Sequence, residues 1–452
     1  MNQFLLATRR LASPFGLLTL FSLLGAFPRS QATAQGVNKE TMERGRKMLA
    51  QIRKDLKEFY YDTTYQGLDL DARFEKADSA IRAARDNNHM LSIIAEYTHE
   101  LKDSHTNFYP PSRVAKIDYG FTSAFFGDSL FITSVKKDSD AEKKGLKRGD
   151  VVLQFEAFMP ERKTFGTVKY VYGALSPRER LRLHVRSPDS APRQIDVEAK
   201  VTMGERIIDF DDPIQRTRLL DEYDAAVRRP DHYYTSLGDS VFIWRMPSFA
   251  VGTDGVDEVM KQAKKHRSIV LDLRNNGGGL VSTMLHFVGN FFERDVFVYD
   301  LKTRKKSEPM IAKPRGKEPF RGMLVILVNS NSASASEITS RIMQLEGRAI
   351  IVGDRSAGLV TTAYTLGREV GFTQVLSYTV QVSISDVVMP DGKRLENIGV
   401  IPDHLVIPTG ADMAARRDPA MATALSLVGV TISPEEAGRF FRPDPKKGGD
   451  RK

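Results

Sequence analysis

From Asn38 to Tyr97 apolar residues return every three or four positions between charged ones, the period of amphipathic helices. Met48, Ile52, Leu56 and Tyr60 form one stripe, Phe74, Ala77, Ile81 and Ala84 a second, and Leu91, Ile94, Tyr97 and Leu101 a third. The stripes predict three helices that each bury one face. The pattern then changes. Alternating apolar residues at 129–135, 151–155 and 181–185, separated by glycines and charged turns, predict the short strands of a small β domain. Residues 201–240 are acidic and polar with mixed patterning and read as a linker with some helix. From Ser240 onward apolar strands (241–246, 268–273, 323–328, 349–352) alternate with helical patterns (256–266, 281–292, 337–345). This alternation predicts an α/β core. Strand-like runs continue to about Ile407, a last helix covers 419–427, and the Pro-, Lys- and Gly-rich end reads as a disordered tail.

The first segment has a different logic. Arg9 and Arg10 precede an apolar run from Phe15 to Phe27, and Pro28 and Ala32-Thr33-Ala34 follow. This is the order of a secretory signal peptide, with cleavage expected after Ala34; an uncleaved anchor is the alternative. The run is shorter than the roughly 20 residues of a membrane span, and no second segment approaches that length. The mature chain is therefore expected in a periplasmic or extracellular space, without a stable membrane span.

Composition narrows the chemistry. The 452 residues contain no cysteine, which excludes disulfides, a Cys nucleophile and Cys-ligated metal. No His-x-x-x-His spacing occurs, so neither a metal nor another cofactor is expected. The net charge of +9 falls to +6 once Arg9, Arg10 and Arg29 leave with the signal. The remaining basic residues are spread among acids, so a nucleic-acid partner is not expected.

Three constellations carry candidate chemistry. Asn331-Ser-Ala-Ser-Ala-Ser-Glu337 lies between a strand and a helix, where a serine projects its Oγ outward beside backbone N–H groups, as in a nucleophile elbow. Helix capping by Ser334 or Ser336, with Glu337 as partner, is an equal reading. Asp272-Leu-Arg-Asn-Asn-Gly-Gly-Gly279 also joins a strand to a helix; it fits neither the P-loop nor the dinucleotide pattern, and an oxyanion hole suits it better. A serine nucleophile needs a base. His105 stands at a helix end among Asp103, Ser104 and Thr106; His404 and His286 are weaker candidates. Finally, a Gly-rich strand edge near Tyr119-Gly120-Phe121, followed by Ala141–Leu153, suits an extended peptide held by its C-terminal carboxylate.

Together these pieces, from about Tyr60 to Leu427, resemble the C-terminal-processing and tricorn-type serine peptidases. The motifs are Leu101–Thr106, a PDZ-like segment, Leu271–Gly279, Ser332–Glu337, Gly347–Asp354 and Glu396–Asp403, in the family's order. The resemblance implies a multidomain α+β protein: signal peptide 1–34, helical N-terminal domain 35–112, PDZ-like domain 113–202, a Clp/crotonase-like peptidase core 203–435 and a basic tail 436–452. It implies Ser334 as nucleophile, with the amides of Ala335 and of Gly277 or Gly278 as oxyanion hole. One departure matters. Leu359 stands where the C-terminal-processing branch has its lysine base, and Arg355 is too basic to replace it. The tricorn-type branch uses a His beside a Ser and a downstream Glu, which map onto His105, Ser104 and Glu396. The expected partner is a peptide or protein substrate engaged through its C-terminus, and an oligomer is compatible with the sequence. The alternative is a degenerate member that binds peptides or ligands without cleaving them.

Overall fold

The structure, a computed structural model, describes residues 37–111, 115–203, 233–316, 318–371 and 375–441. The signal-peptide reading of 1–34, the linker reading over 204–232 and the tail beyond 441 lie outside the described residues. The chain forms two compact units, each assembled from separate stretches of sequence.

Among the described residues the first unit comprises 37–111, 163–177, 363–371 and 375–383. Its helices Lys39–Phe59, Leu70–Arg82 and Asn87–His99 follow the three stripes. Asn38, Asp69 and Asp86 cap them, each side chain accepting a first-turn N–H. Met48, Ile52, Leu56, Ile81, Leu91, Ile94 and Tyr97 are buried. Phe74 is only partly covered, and the Arg53 guanidinium lies over its ring at 3.8 Å. The strand Asn107–Tyr109 pairs antiparallel with Thr379 to Gln381. Helix Phe165–Tyr170 and the wide turn Val171–Leu175 fall in the stretch read from sequence as β. Their Val168, Val171, Tyr172 and Leu175 are buried at a helical spacing that the surrounding strand signals masked. Buried Asp55 accepts two bonds from Arg368, at 2.8 and 3.0 Å.

Among the described residues the second unit comprises 115–162, 178–203, 233–316, 318–362 and 384–441. Strands Phe121–Phe126, Ser129–Val135, Val151–Phe155, Arg180–Arg186 and Arg193–Glu198 form an antiparallel five-stranded sheet in sequence order. A six-stranded sheet forms the centre of the unit. Val241–Arg245, Ser268–Asp272, Met323–Val328, Ile350–Gly353 and His404–Leu405 run parallel. Tyr233–Leu237 adds an antiparallel edge, so the part of the supposed linker nearest the core is a strand, turned back at Gly238 (φ 55°). Successive strand residues serve opposite faces. Phe242, Trp244, Ile269, Leu271, Leu324, Ile326 and Ile351 pack with residues of helices Gly252–Ala263, Val281–Gly289 and Ala335–Leu345. Val241, Ile243, Val270, Val325, Leu327 and Val352 pack with those of Pro419–Leu427. Burial on both faces explains the continuous apolar runs. The second face also takes Ala437, Phe440 and Phe441, so packing reaches beyond residue 435.

Among the described residues no helix is long and apolar enough to cross a membrane. Trp244 is fully buried and meets Phe287 edge-to-face, ring centres 5.7 Å apart. Trp244→Ala is expected to cost about 3–5 kcal/mol, measured as a lowered midpoint of chemical unfolding.

Candidate active site

In parallel α/β sheets, ligand sites lie beyond the carboxyl ends of the strands. Three loops leave that end here: 273–280 after Ser268–Asp272, 329–334 after Met323–Val328, and 354–361 after Ile350–Gly353. Ser334 is the N-cap of helix Ala335–Leu345 with Glu337 at N3, the placement the capping reading expects. Its backbone sits at φ 56°, ψ −121°. Such a conformation costs a non-glycine residue about 1–3 kcal/mol and needs support from its surroundings.

The three serines of the motif differ. Ser332 Oγ donates to Leu273 O at 2.8 Å, and Ser336 Oγ donates to Asn276 O at 2.9 Å. Both are fully buried, whereas Ser334 is partly exposed. Ala335, the first helical residue, has an amide that no intrahelical carbonyl can satisfy.

The glycine loop lies against this turn. A Cβ on Gly278 (φ 102°) would stand 2.7 Å from Ser334 Cβ. Gly278 N donates to Asn276 Oδ1 at 2.9 Å. Asn276 is fully buried; its Nδ2 donates to Met246 O at 3.0 Å, and its own carbonyl accepts Ala333 N at 3.0 Å. The Gly278 amide is therefore already engaged by Asn276. Gly277 N has no acceptor among the described residues, and open space adjoins its Cα. At the base of the loop Arg274 grips both Asp272 oxygens (2.8 Å each) and both Asp418 oxygens (2.9 and 2.8 Å).

The 354–361 loop borders the same turn. Leu359 O accepts Ser334 N at 2.8 Å, which sets Leu359 directly against the Ser334 turn. Glu396 Oε2 accepts Val360 N at 3.0 Å and Thr361 N at 3.4 Å.

In the first unit, Ser104 Oγ lies 2.6 Å from His105 Nδ1. Asp103 Oδ1 accepts His105 N (3.0 Å), Thr106 N (2.7 Å) and Ser383 Oγ (2.6 Å). Burial first, and the Asp103 charge second, push the nearby Tyr60 hydroxyl well above its usual range. His286 is engaged elsewhere, with Nε2 2.6 Å from Asp257 Oδ1. His404 is exposed on its short strand. Among the described residues no cluster of His, Asp and Glu suited to a metal occurs.

Tyr119 Oη donates to Arg178 O at 2.6 Å, and Gly120 (φ 74°) donates its N–H to Asp118 Oδ1 at 2.9 Å. Phe121 begins an edge strand of the five-stranded sheet. A peptide carboxylate would have to displace Asp118 to use the Gly120 amide. Sequence reading named Asp103 beside His105, and its carboxylate holds the backbone of that turn; it missed Asn276 and Ser383 as supports. Asn276 had a local signal, an Asn before consecutive glycines; Ser383, 280 residues from Asp103, had none.

Residues 241–406 match peptidase family S41. A "Probable CtpA-like serine protease" of Staphylococcus haemolyticus is 25% identical over 321 residues, covering 67% of this chain and 57% of that protein. A protein of the same description from Staphylococcus epidermidis is 24% identical over 370 residues, covering 78% and 65%. The chain thus spans less than two thirds of these relatives. The solved structure of mature CPAF complexed with lactacystin superposes with a TM-score of 0.62 at 14% identity, over 83% of this chain and 95% of that one. It shares the fold: a mixed α+β chain with a helical N-terminal region and a β-sheet core.

Burial disfavours the Asp418 charge, but Arg274 outweighs it and holds this carboxyl below its usual range. Its stabilisation is complete above the ordinary carboxylate pKa of about 4 and drains as pH falls through the lowered value. Asp418→Asn is expected to cost about 1–3 kcal/mol at pH 7, and the difference in melting temperature from wild type should shrink as the solution is acidified below that range.

Proposed function

We propose, from the match of residues 241–406 to peptidase family S41, a serine peptidase that works through an acyl-enzyme. One observation carries the reading. Of three neighbouring serines, the two outer ones are tied inward, and the middle one stands on a strained turn against a glycine loop. Ser334 Oγ attacks the substrate carbonyl. His105 takes the hydroxyl proton and returns it to the leaving amine; water then hydrolyses the ester by the same path in reverse roles. Ser104, at Nδ1 of the imidazole, fixes its orientation and makes Nε2 the proton-transfer atom. The Ala335 amide and the Gly277 amide, or that of Gly278 released from Asn276, receive the developing oxyanion. Glu396, through the Val360 and Thr361 amides, orients the imidazole or the substrate.

Leu359 supports histidine over lysine as base, because the residue at that place has no group that can accept a proton. The same leucine motivates a second reading, a family member that binds without cleaving. The five-stranded sheet serves in this proposal as the PDZ-like module, with Tyr119, Gly120 and Phe121 receiving a substrate C-terminus, and the six-stranded sheet as the Clp/crotonase-like core. The chain acts after export, with cleavage following Ala34; Met1 on the mature protein would refute that step.

Ser334→Ala and His105→Ala should each lower peptide cleavage at least about a thousandfold. A fluorophosphonate should label Ser334 in wild type; an intact protein that takes no label is the binding protein instead. Gly278→Ala, whose new Cβ collides with Ser334, should slow labelling about a hundredfold in folded protein.

A further inference from the structure

We infer that the buried carboxylate of Glu337 is the positioning residue of Ser334: it holds that serine in its positive-φ conformation and fixes the 356–359 loop against it. The inference rests on the reading of Ser334 as nucleophile for its kinetic consequence, and on geometry alone for its structural one.

In an ordinary capping box the N3 side chain reaches back to a single N–H, that of the N-cap residue. Glu337 does this, accepting Ser334 N at 3.1 Å on Oε2. It also accepts three donors from outside its helix. Ser356 Oγ and Gly358 N each donate to Oε1 at 2.6 Å, and Leu359 N donates to Oε2 at 2.9 Å. The residue is fully buried, and all four partners are neutral donors. A carboxylate in such a place is costly unless its oxygens are filled by hydrogen bonds, and here both are filled twice. Burial pushes its pKa up, and the bonds from Ser356, Leu359, Gly358 and Ser334 pull it back.

The bonds close a ring. Ser334 N is shared between Glu337 Oε2 and Leu359 O (2.8 Å), and Leu359 N returns to the same Oε2. The plane of the Ser334 amide is thus set from two sides, at the entrance to the positive-φ turn from which Oγ and the Ala335 amide project. The hold extends outward. Ser356 Oγ accepts Val400 N at 2.5 Å, and Gly358 O accepts Asn397 N at 2.8 Å, which ties the segment carrying Glu396 to the same carboxylate. A glutamine has the same shape but turns an NH2 group toward these donors. At least one oxygen's pair of bonds is lost, and the turn is free to relax toward an ordinary φ.

The test uses the full chain carrying Glu337→Gln, with Ser356→Ala as a milder second variant should the first fail to fold. Backbone hydrogen exchange is followed by mass spectrometry in peptides covering 332–338 and 356–361, with 241–245 and 268–272 as internal controls. Exchange in the first two should accelerate at least about tenfold while the control strands keep wild-type protection. In the same preparations kcat should fall about a hundredfold with KM within a factor of two, because the substrate still binds but the attacking oxygen is misplaced. Unchanged exchange at 332–338 and 356–361 overturns the inference. So does a loss of kcat no larger than the loss of folded protein. Wild type that neither cleaves peptides nor takes a fluorophosphonate refutes the peptidase reading instead, and the exchange measurement then still decides whether Glu337 sets the turn.

Discussion

Two stretches of backbone meet at Ser334 with no room for a side chain between them. The missing Cβ of Gly278 is what allows the approach, and the conformation of Ser334 is what makes the approach useful. Neither loop would hold this arrangement alone. Asn276 acts as a post between them: its side chain ties Gly278 and Met246, and its carbonyl ties Ala333 and Ser336. The strain is small beside the apolar area of a sheet covered on both faces, and so the fold can sustain it.

The same sheet explains why the loops converge. Parallel strands present every connection to the following helix at one end. Ser268–Asp272, Met323–Val328 and Ile350–Gly353 are neighbours in the sheet, so the glycine loop, the serine turn and the Leu359 segment emerge side by side. Chemistry that is scattered over about ninety residues of sequence becomes local through the register of three strands.

This separation also decides what was legible. The helical stripes and the apolar strands appear in the sequence because each depends on local period and burial, and the structure follows them closely. The motifs flanking Gly278 and Ser334 were visible because tight turns demand small residues. The choice among Ser332, Ser334 and Ser336 was not visible, since it depends on which carbonyl each hydroxyl finds across the loop. The helix at Phe165–Tyr170 was hidden in a β-rich stretch, and it belongs to the first unit rather than to the strands on either side of it. Asp103, Glu337 and Asn276 each had a local signal, but their distant partners (Ser383, the 356–359 loop and Met246) had none. The resemblance to a peptidase family supplied the assignment of Ser334, and the bonds of its neighbours supply a physical reason for it.

The unit that begins at the N-terminus depends on stretches of chain far from it in sequence. Its three helices leave the ribosome early, but buried Asp55 waits for Arg368, and the turn carrying His105 waits for Ser383. Contacts that span so much chain form late and close slowly. A chain interrupted between residues 338 and 375 has the whole serine motif and still lacks the strand that carries Ser383. With no cysteine to lock a partial fold, completeness of the polypeptide is itself a condition for order around His105. The discontinuous architecture therefore ties both turns to late stretches of chain: the loop beside the serine turn is held by Asn397 and Val400, and the histidine turn by Ser383.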